Sequence, residues 1–462
     1  MRMIWVTQLM LIATVGGCAV NPPWPNPQQL AEQAAGVEGA IELRLEGEPI
    51  DAQAAHDGQL SMAEAIRQSL HHDPGVQIAL ARVRAALAEA HQARLLPNPV
   101  VSVVLRWSES GGSPTVEAGI AADLLSLLRR PGEIDAADQR LGAASTQVVT
   151  AVLDVLAQTQ NRFVQIQALD DLLPVLDERG KLLDRLVTLA RQRLEGGEGT
   201  RLDMTTLQAQ RVDLDIEIAE RQIEQRTARL ALARLIGQPS ADAAWTLDRW
   251  LLPEQPIGDE SPWIRAALAH RPEIQAKVWE IQALGADLRL TRWALFEPIE
   301  GGIESERDAG EWSLGPAATV PLPLFDWGQA KREAAQAALL ESLHGLTATR
   351  RQVVEDVRSA HLSHTRLFEA YRTARDRLIP LLQQRLGEAE SAFRAGQSDV
   401  TPLILAEQDL QAGRTRLIDL ERRAAESLVA LYRAVGGPGR LPDAATVPTA
   451  TPIPHTPRKE QP

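Results

Sequence analysis

Apolar residues recur at intervals of three and four along most of the chain, and twice that rhythm gives way to strict alternation. The first helical run opens at Ser61. Ser61 and Glu64 form a capping box, in which the hydroxyl takes the N3 amide and the carboxylate reaches back. The run continues for about 35 residues to Leu96-Pro97-Asn98-Pro99, where proline cannot extend a helix. The period then drops to two. Val101, Val103, Leu105 and Trp107 share one face of a strand over 100–107, and Ser102, Val104 and Arg106 share the other. Residues 115–123 alternate likewise, with Val116, Ala118 and Ile120 against Glu117, Gly119, Ala121 and Asp123. The intervening SESGGSP makes the pair a hairpin.

The pattern returns in the second half. SMAEAIRQSLHHDPGVQIALARVRAAL from Ser61 is echoed by SPWIRAALAHRPEIQAKVWEIQAL from Ser261, where Ser261 predicts an N-cap and Pro262 the N1 position. A second hairpin is predicted over 299–306 and 312–320. Pro74 and Pro272, Gly119 and Gly315, Gly132 and Gly328, and Gly197 and Gly396 keep the same order. After each hairpin comes a very long helical pattern, 132–196 and 328–393, interrupted only by Pro174 and Pro380. A rod of about 65 residues reaches roughly 95–100 Å, beyond any single globular domain. A glycine-bearing turn then reverses the chain, GGEG at 196–199 and AGQS at 395–398. Leu202, Ala209, Ile216, Ile223 and Leu230 on one arm, and Leu169, Leu176, Leu183 and Ala190 on the other, predict a coiled-coil seam.

Composition narrows the class. Hydrophobic residues are 44% and charged residues 24%, as in ordinary folded proteins, but aromatics are only 4%, which points to thin cores packed with Ala and Leu. A net charge of −13 with no basic stripe argues against a nucleic-acid partner. Arg2, the apolar stretch 3–15 and the small residues Gly16-Gly17 form a secretory signal over 1–17. The single cysteine, Cys18, stands directly after it. This resembles a bacterial lipoprotein box, which implies lipidation of Cys18 (palmitate included), and Ala19 implies outer-membrane sorting. The expected organisation is a lipidated Cys and tether over 18–59, a first repeat over 60–240, a connector over 241–260, a second repeat over 261–436 and a disordered tail over 437–462.

Two hairpins per chain impose a physical demand. Strands of eight to ten residues with one apolar face suit a tilted membrane barrel, and lipid leaves no sheet edge open. Four strands cannot close on themselves. Two chains would give eight strands with a filled interior; three would give twelve and a lumen.

The stretches LSMAEAIRQSLHHDPGVQIALARVRAALAEAHQARLLPNP (60–99), LEGGEGTRLDMTTLQAQ (194–210), PLPLFDWGQAKREAAQAAL (321–339) and FRAGQSDVTPLILAEQDL (393–410) are similar to TolC-type outer-membrane factors, the exit ducts of tripartite efflux pumps. The resemblance spans roughly 60–436. It implies a mainly α fold with a small β part: a long coiled-coil α-helical barrel continuous with a trimeric membrane β-barrel, four strands per chain, built on an internal tandem duplication. It further implies a homotrimer in the bacterial outer membrane, extending into the periplasm, whose tip turns around Gly197 and Gly396 meet a periplasmic adaptor that links the duct to an inner-membrane transporter. Asp203 matches a position that helps hold the tip closed, with Thr200, Arg201, Phe393 and Asp399 beside the two turns. Pro402 and Leu405 stand where a second aspartate ring would lie, and SLLRRPG (126–132) departs from the PLFDWG junction of the second repeat.

Arg106, Glu117, Asp123, Glu300, Glu304 and Glu306 share the polar hairpin faces, so they are candidate lumen residues that would favour cations, with an extracellular loop as the alternative place for Glu304 and Glu306. Trp107 and Trp312 suit an interfacial girdle. His361 and His364 have helical i, i+3 spacing but lack companion ligands, and His71-His72 reads as a surface pair, so neither metal nor other cofactor is expected. No nucleophile elbow, phosphate-binding loop or zinc-protease motif marks an enzyme. The alternatives are an exit duct for one-step protein secretion and a periplasmic coiled-coil lipoprotein that forms no channel.

Overall fold

The computed structural model describes residues 26–37, 41–44, 58–107, 114–197, 200–253, 257–296, 299–308, 311–322, 324–395, 397–398 and 400–440. The signal segment, Cys18 and nearly all of the 437–462 tail lie outside them. In chain order the described elements are α1 (Pro27–Ala35), β1 (Gln59–Leu60), α2 (Met62–His72), α3 (Pro74–Ala93), β2 (Val100–Arg106), β3 (Thr115–Asp123), α4 (Leu125–Glu195), α5 (Arg201–Leu235), β4 (Thr246–Leu247), α6 (Glu260–His270), α7 (Pro272–Leu290), β5 (Glu300–Asp308), β6 (Glu311–Thr319), α8 (Gln329–Thr373), a π-turn (Ala374–Leu378), α9 (Ile379–Arg394) and α10 (Val400–Val435). The chain is mainly helical with a small β part. It divides into two compact units, Met1–Trp250 with Pro272–Gln352, and Leu251–Arg271 with Val353–Pro462.

In the first unit α4 is the spine. It runs 71 residues, about 107 Å at the standard rise, and packs against α1, α2, α3, α5 and α7. Leu153, Phe163, Ile166, Leu176 and Leu183 of α4 are essentially sealed from solvent. An 18-residue stretch of α4 is long and apolar enough to cross a bilayer, and 44% of it is buried inside the protein. Part of the expected tether is folded here. Asn26 caps α1, whose Ala31, Ala34 and Ala35 are buried, and Gln77 bonds to the backbone of Glu42 and Arg44. The connector is held too, because β1 pairs parallel with β4 and Arg229 bonds the carbonyls of Ala243 and Trp245 and the Asp170 carboxylate.

Several sequence expectations need correction. The first helix is two helices: Asp73 ends α2, its Oδ1 accepts the Val76 amide at 3.1 Å, and Pro74 starts α3. The second repeat breaks in the same way at Arg271-Pro272, and its cap is Asp259 rather than Ser261. Ser61 does cap α2, accepting the Glu64 amide at 3.2 Å, while the Glu64 carboxylate takes Gln68 and Arg67. The long helix starts at Leu125, seven residues before the expected Gly132, and carries both Pro131 and Pro174 inside it. The predicted seam is right on α4, where Leu169, Leu176 and Leu183 are buried, but on α5 it is inverted. Leu202, Ile216, Ile223 and Leu230 are 42–74% exposed, and Leu214, Ala228, Leu232 and Leu235 are buried instead.

The second unit packs α6 and α10 with the end of α8, the π-turn and α9. Pro380 is accommodated by the π-turn, closed by the Ile379 amide on the Ala374 carbonyl, after which proline sits in the first turn of α9. Gly413 lets α10 approach α9 closely: a Cβ there would lie 2.5 Å from Leu382 Cδ1.

Candidate functional site

Both predicted hairpins form, and they join. β2, β3, β5 and β6 make one antiparallel sheet in that order, with β3 pairing β5 so that Gly119 faces Glu304 and Ile120 faces Ile303. Directly paired residues point to the same side of a sheet. The register therefore assigns Val101, Val103, Leu105, Val116, Ile120, Ile303, Trp312 and Leu314 to one mostly apolar face, which also carries Ser305 and, at its hairpin end, Arg307. The other carries Arg106, Glu117, Asp123, Glu300, Glu304, Glu306 and also Glu311, which the alternation had not singled out. The apolar face has no cover: Val101 is 69% exposed and Leu314 is 76% exposed. The outer edges of β2 and β6 are unpaired among the described residues.

The polar face is not uniformly available. Asp123 Oδ1 accepts the amides of Leu125 at 2.9 Å and Ser126 at 3.2 Å, so this carboxylate caps α4 instead of simply lining a lumen. Arg106 and Glu117 form an ion pair. Among the described residues, the acids of this face with no ion-pair partner are Glu300, Glu304, Glu306 and Glu311. Gly119 makes room for Glu304, since a Cβ there would lie 3.1 Å from its Cγ. Trp312 lies under the Arg307 guanidinium, 5.8 Å from its ring centre, and Trp107 is 70% exposed.

All four strand-to-helix connections lie at one end of this sheet and both hairpin turns at the other. The two outgoing connections differ. After β3 the chain enters α4 immediately, with the Leu124 amide bonded to the Ile299 carbonyl. After β6, the described residues 320–322 and 324–328 are non-helical, with Leu322, Leu324, Phe325 and Trp327 between 64% and 93% exposed. That segment ends at the buried Gly328, whose φ of +69° is left-handed and whose amide bonds Asp326 Oδ1 at 2.8 Å.

The helical turns come next. In the first unit, the Gly196 amide bonds to the Gln192 carbonyl and Gly197 reverses the chain at φ +77°. Thr200 and Arg201 follow, both exposed. The Asp203 side chain, Gly396 and Asp399 lie outside the described residues. In the second unit Phe393 is 44% exposed near the end of α9. The two predicted clusters therefore belong to separate units. Sequence reading missed Arg211, which clamps the first hairpin below its turn: it bonds Asp184 across to α4 at 2.8 Å and pairs with Asp215. The Asp184 and Asp215 hydrogen bonds raise its pKa above the ordinary arginine value.

His361 and His364 do not converge. His361 Nε2 bonds the Gly258 carbonyl, whereas His364 is buried, with Nδ1 3.0 Å from the Ala424 carbonyl and 3.1 Å from Ser427 Oγ. Burial lowers the His364 pKa, partly offset by the Ala424 bond and reinforced by His361.

The family model for outer membrane efflux proteins matches residues 65–238 and 263–437. The chain belongs to the outer membrane efflux protein family. Its relatives include the cobalt-zinc-cadmium resistance protein CzcC of Cupriavidus metallidurans, 22% identical over 356 residues that span 75% of this chain and 82% of that protein. Among solved structures, the outer-membrane channel OprN matches with a TM-score of 0.68 at 20% identity, covering 82% of this chain and 90% of that one. The outer membrane protein VceC of Vibrio cholerae matches with a TM-score of 0.67 at 20% identity, covering 81% and 96%. This family member is an outer-membrane efflux channel, an exit duct with its sheet and its long helices in one chain. The family's members are channels rather than enzymes.

Proposed function

We propose that three copies of the chain close into a passive, cation-preferring duct, with the apolar sheet face against lipid and the acidic face toward the lumen. The observation that carries this reading is the sheet itself: one uncovered apolar face, one acid-bearing face and two unpaired edges. An open edge in hydrocarbon costs several kcal/mol per unsatisfied backbone group, so β6 of one copy pairs with β2 of the next. The exposed heptad stripe of α5 supports the same assembly at the helical level, since Leu202, Ile216, Ile223 and Leu230 offer a second seam that α4 does not use. A periplasmic scaffold lipoprotein would have no use for the uncovered sheet face.

In this reading Cys18 carries the lipid anchor, and the turns at Gly197 and Gly396 face the adaptor that couples the duct to an inner-membrane transporter. Asp203, Thr200, Arg201, Phe393 and Asp399 then belong to the closing end. The acids Glu300, Glu304 and Glu306 set the preference for cations. Planar-bilayer recording of the detergent-purified assembly tests this. Single-channel conductance with a reversal potential favouring K⁺ over Cl⁻ is expected, reduced toward no preference by Glu300→Gln together with Glu304→Gln. Silent membranes, even with Asp203→Ala, would sink the duct.

A further inference from the structure

We infer that the exposed Leu322, Leu324, Phe325 and Trp327 after β6 form a latch between copies, seated on the Leu95-Leu96 corner that precedes β2 of the neighbouring chain. This rests on the closed-ring reading above and adds a specific contact to it. Within one chain, the segment leaving β3 is bonded to and packed on the segment entering β5, although Leu124, Leu127 and Leu128 stay 49–62% exposed. The Leu124 amide bonds Ile299, and the Leu124 side chain lies over Gly301, where a Cβ would be only 2.5 Å away. Lower down, Gly132 lies against Leu290, with 2.7 Å between a would-be Cβ and Leu290 Cδ2.

β6 leaves the sheet in the same direction as β3, and β2 enters it in the same direction as β5. Pairing β6 with the next copy's β2 therefore places the segment leaving β6 against the segment entering that β2. Both sides are apolar and uncovered: Phe325 is 93% exposed and Trp327 64%, while Leu95 and Leu96 are 61% and 58% exposed. Such a cluster is too apolar to stand in water without a partner. The partner is a second copy, because continuity with the β6 edge brings that copy's corner to it and the chain's own corner lies at the far edge of the sheet.

Cross-linking of mixed assemblies tests the latch. Chains with Leu96→Cys and chains with Phe325→Cys, carrying different tags, are co-expressed, purified as intact assemblies and treated with a short bis-maleimide. A covalent dimer bearing both tags is expected at least tenfold above the yield when either variant is paired with unmodified chain, which also controls for Cys18. Background yield in assemblies that light scattering still reports as trimers would overturn the latch, leave the duct standing and assign the segment to lipid. A monomer by light scattering would remove the ring reading and the latch together.

Discussion

The two strand-to-helix connections occupy matching places in the repeats, yet one is built to be finished within the chain and the other is not. After β3, Asp123 caps α4 at once, and the joint is bonded to Ile299 and packed against Gly301 and Leu290, with Leu124, Leu127 and Leu128 still 49–62% exposed. After β6, the described residues are non-helical, bend where the Leu324 amide bonds the Leu322 carbonyl, pass a left-handed glycine at 328 and leave their largest apolar groups exposed. The difference follows position in the sheet rather than composition. β3 is an inner strand with a neighbour from the same chain, and β6 is an edge. In the proposed ring, the element left open in one chain is where the next chain docks.

Substitutions at the two matching glycines should separate the joints most sharply. Gly328→Val forces a buried β-branched residue into the left-handed region and is expected to cost about 1–3 kcal/mol, read as a lower melting point of the assembly. Gly132→Ala sits in a helix, where alanine gains up to about 1 kcal/mol of propensity against displacement of the Leu290 side chain, so the net shift should be small. Equal losses at both positions would show that the joints are equivalent after all. Next in size, Asp123→Ala removes the α4 cap and is expected to cost about 1 kcal/mol, measured by thermal unfolding, with Asp123→Asn recovering most of it.

The smallest expected effect compares interiors. Where the first unit buries Phe163 and Ile166, the second buries His364. Its lowered pKa means that the unfolded chain takes up a proton first as pH falls through about 6.5, so stability is full above that value and declines below it. His270, whose pKa is lowered by burial and by Arg440, acts in the same direction. The melting point of unmodified protein should therefore fall more between pH 7.5 and 5 than that of His364→Gln. Parallel curves for the two would remove His364 from the account.

Much of this was legible in the residues. Strand alternation marked both hairpins to within two residues, and the glycine-bearing turn at 196–197 and the α4 half of the seam were correctly placed. The errors share a physical origin. Asp73-Pro74 supports both a stop and a restart, and only packing decides whether a helix continues through. On α5 two apolar stripes compete, and the sequence cannot say which one faces α4 and which stays exposed. Capping by Asp123 was hidden because a carboxylate at the end of a strand reads equally well as a lumen residue.

The π-turn at Ala374–Leu378 carries one further consequence. It spends about one residue more per turn than an α-helix, so everything beyond it lags by about 100° around the axis. The side of α9 that continues the face of α8 is thus drawn from different heptad positions above and below this point. Deleting one residue between Ala374 and Leu378 would rewind the segment into plain α-helix. It would keep Phe393 in the same sector and at the same height of the rod, whereas rewinding all five residues into α-helix without a deletion would swing it by about 100°.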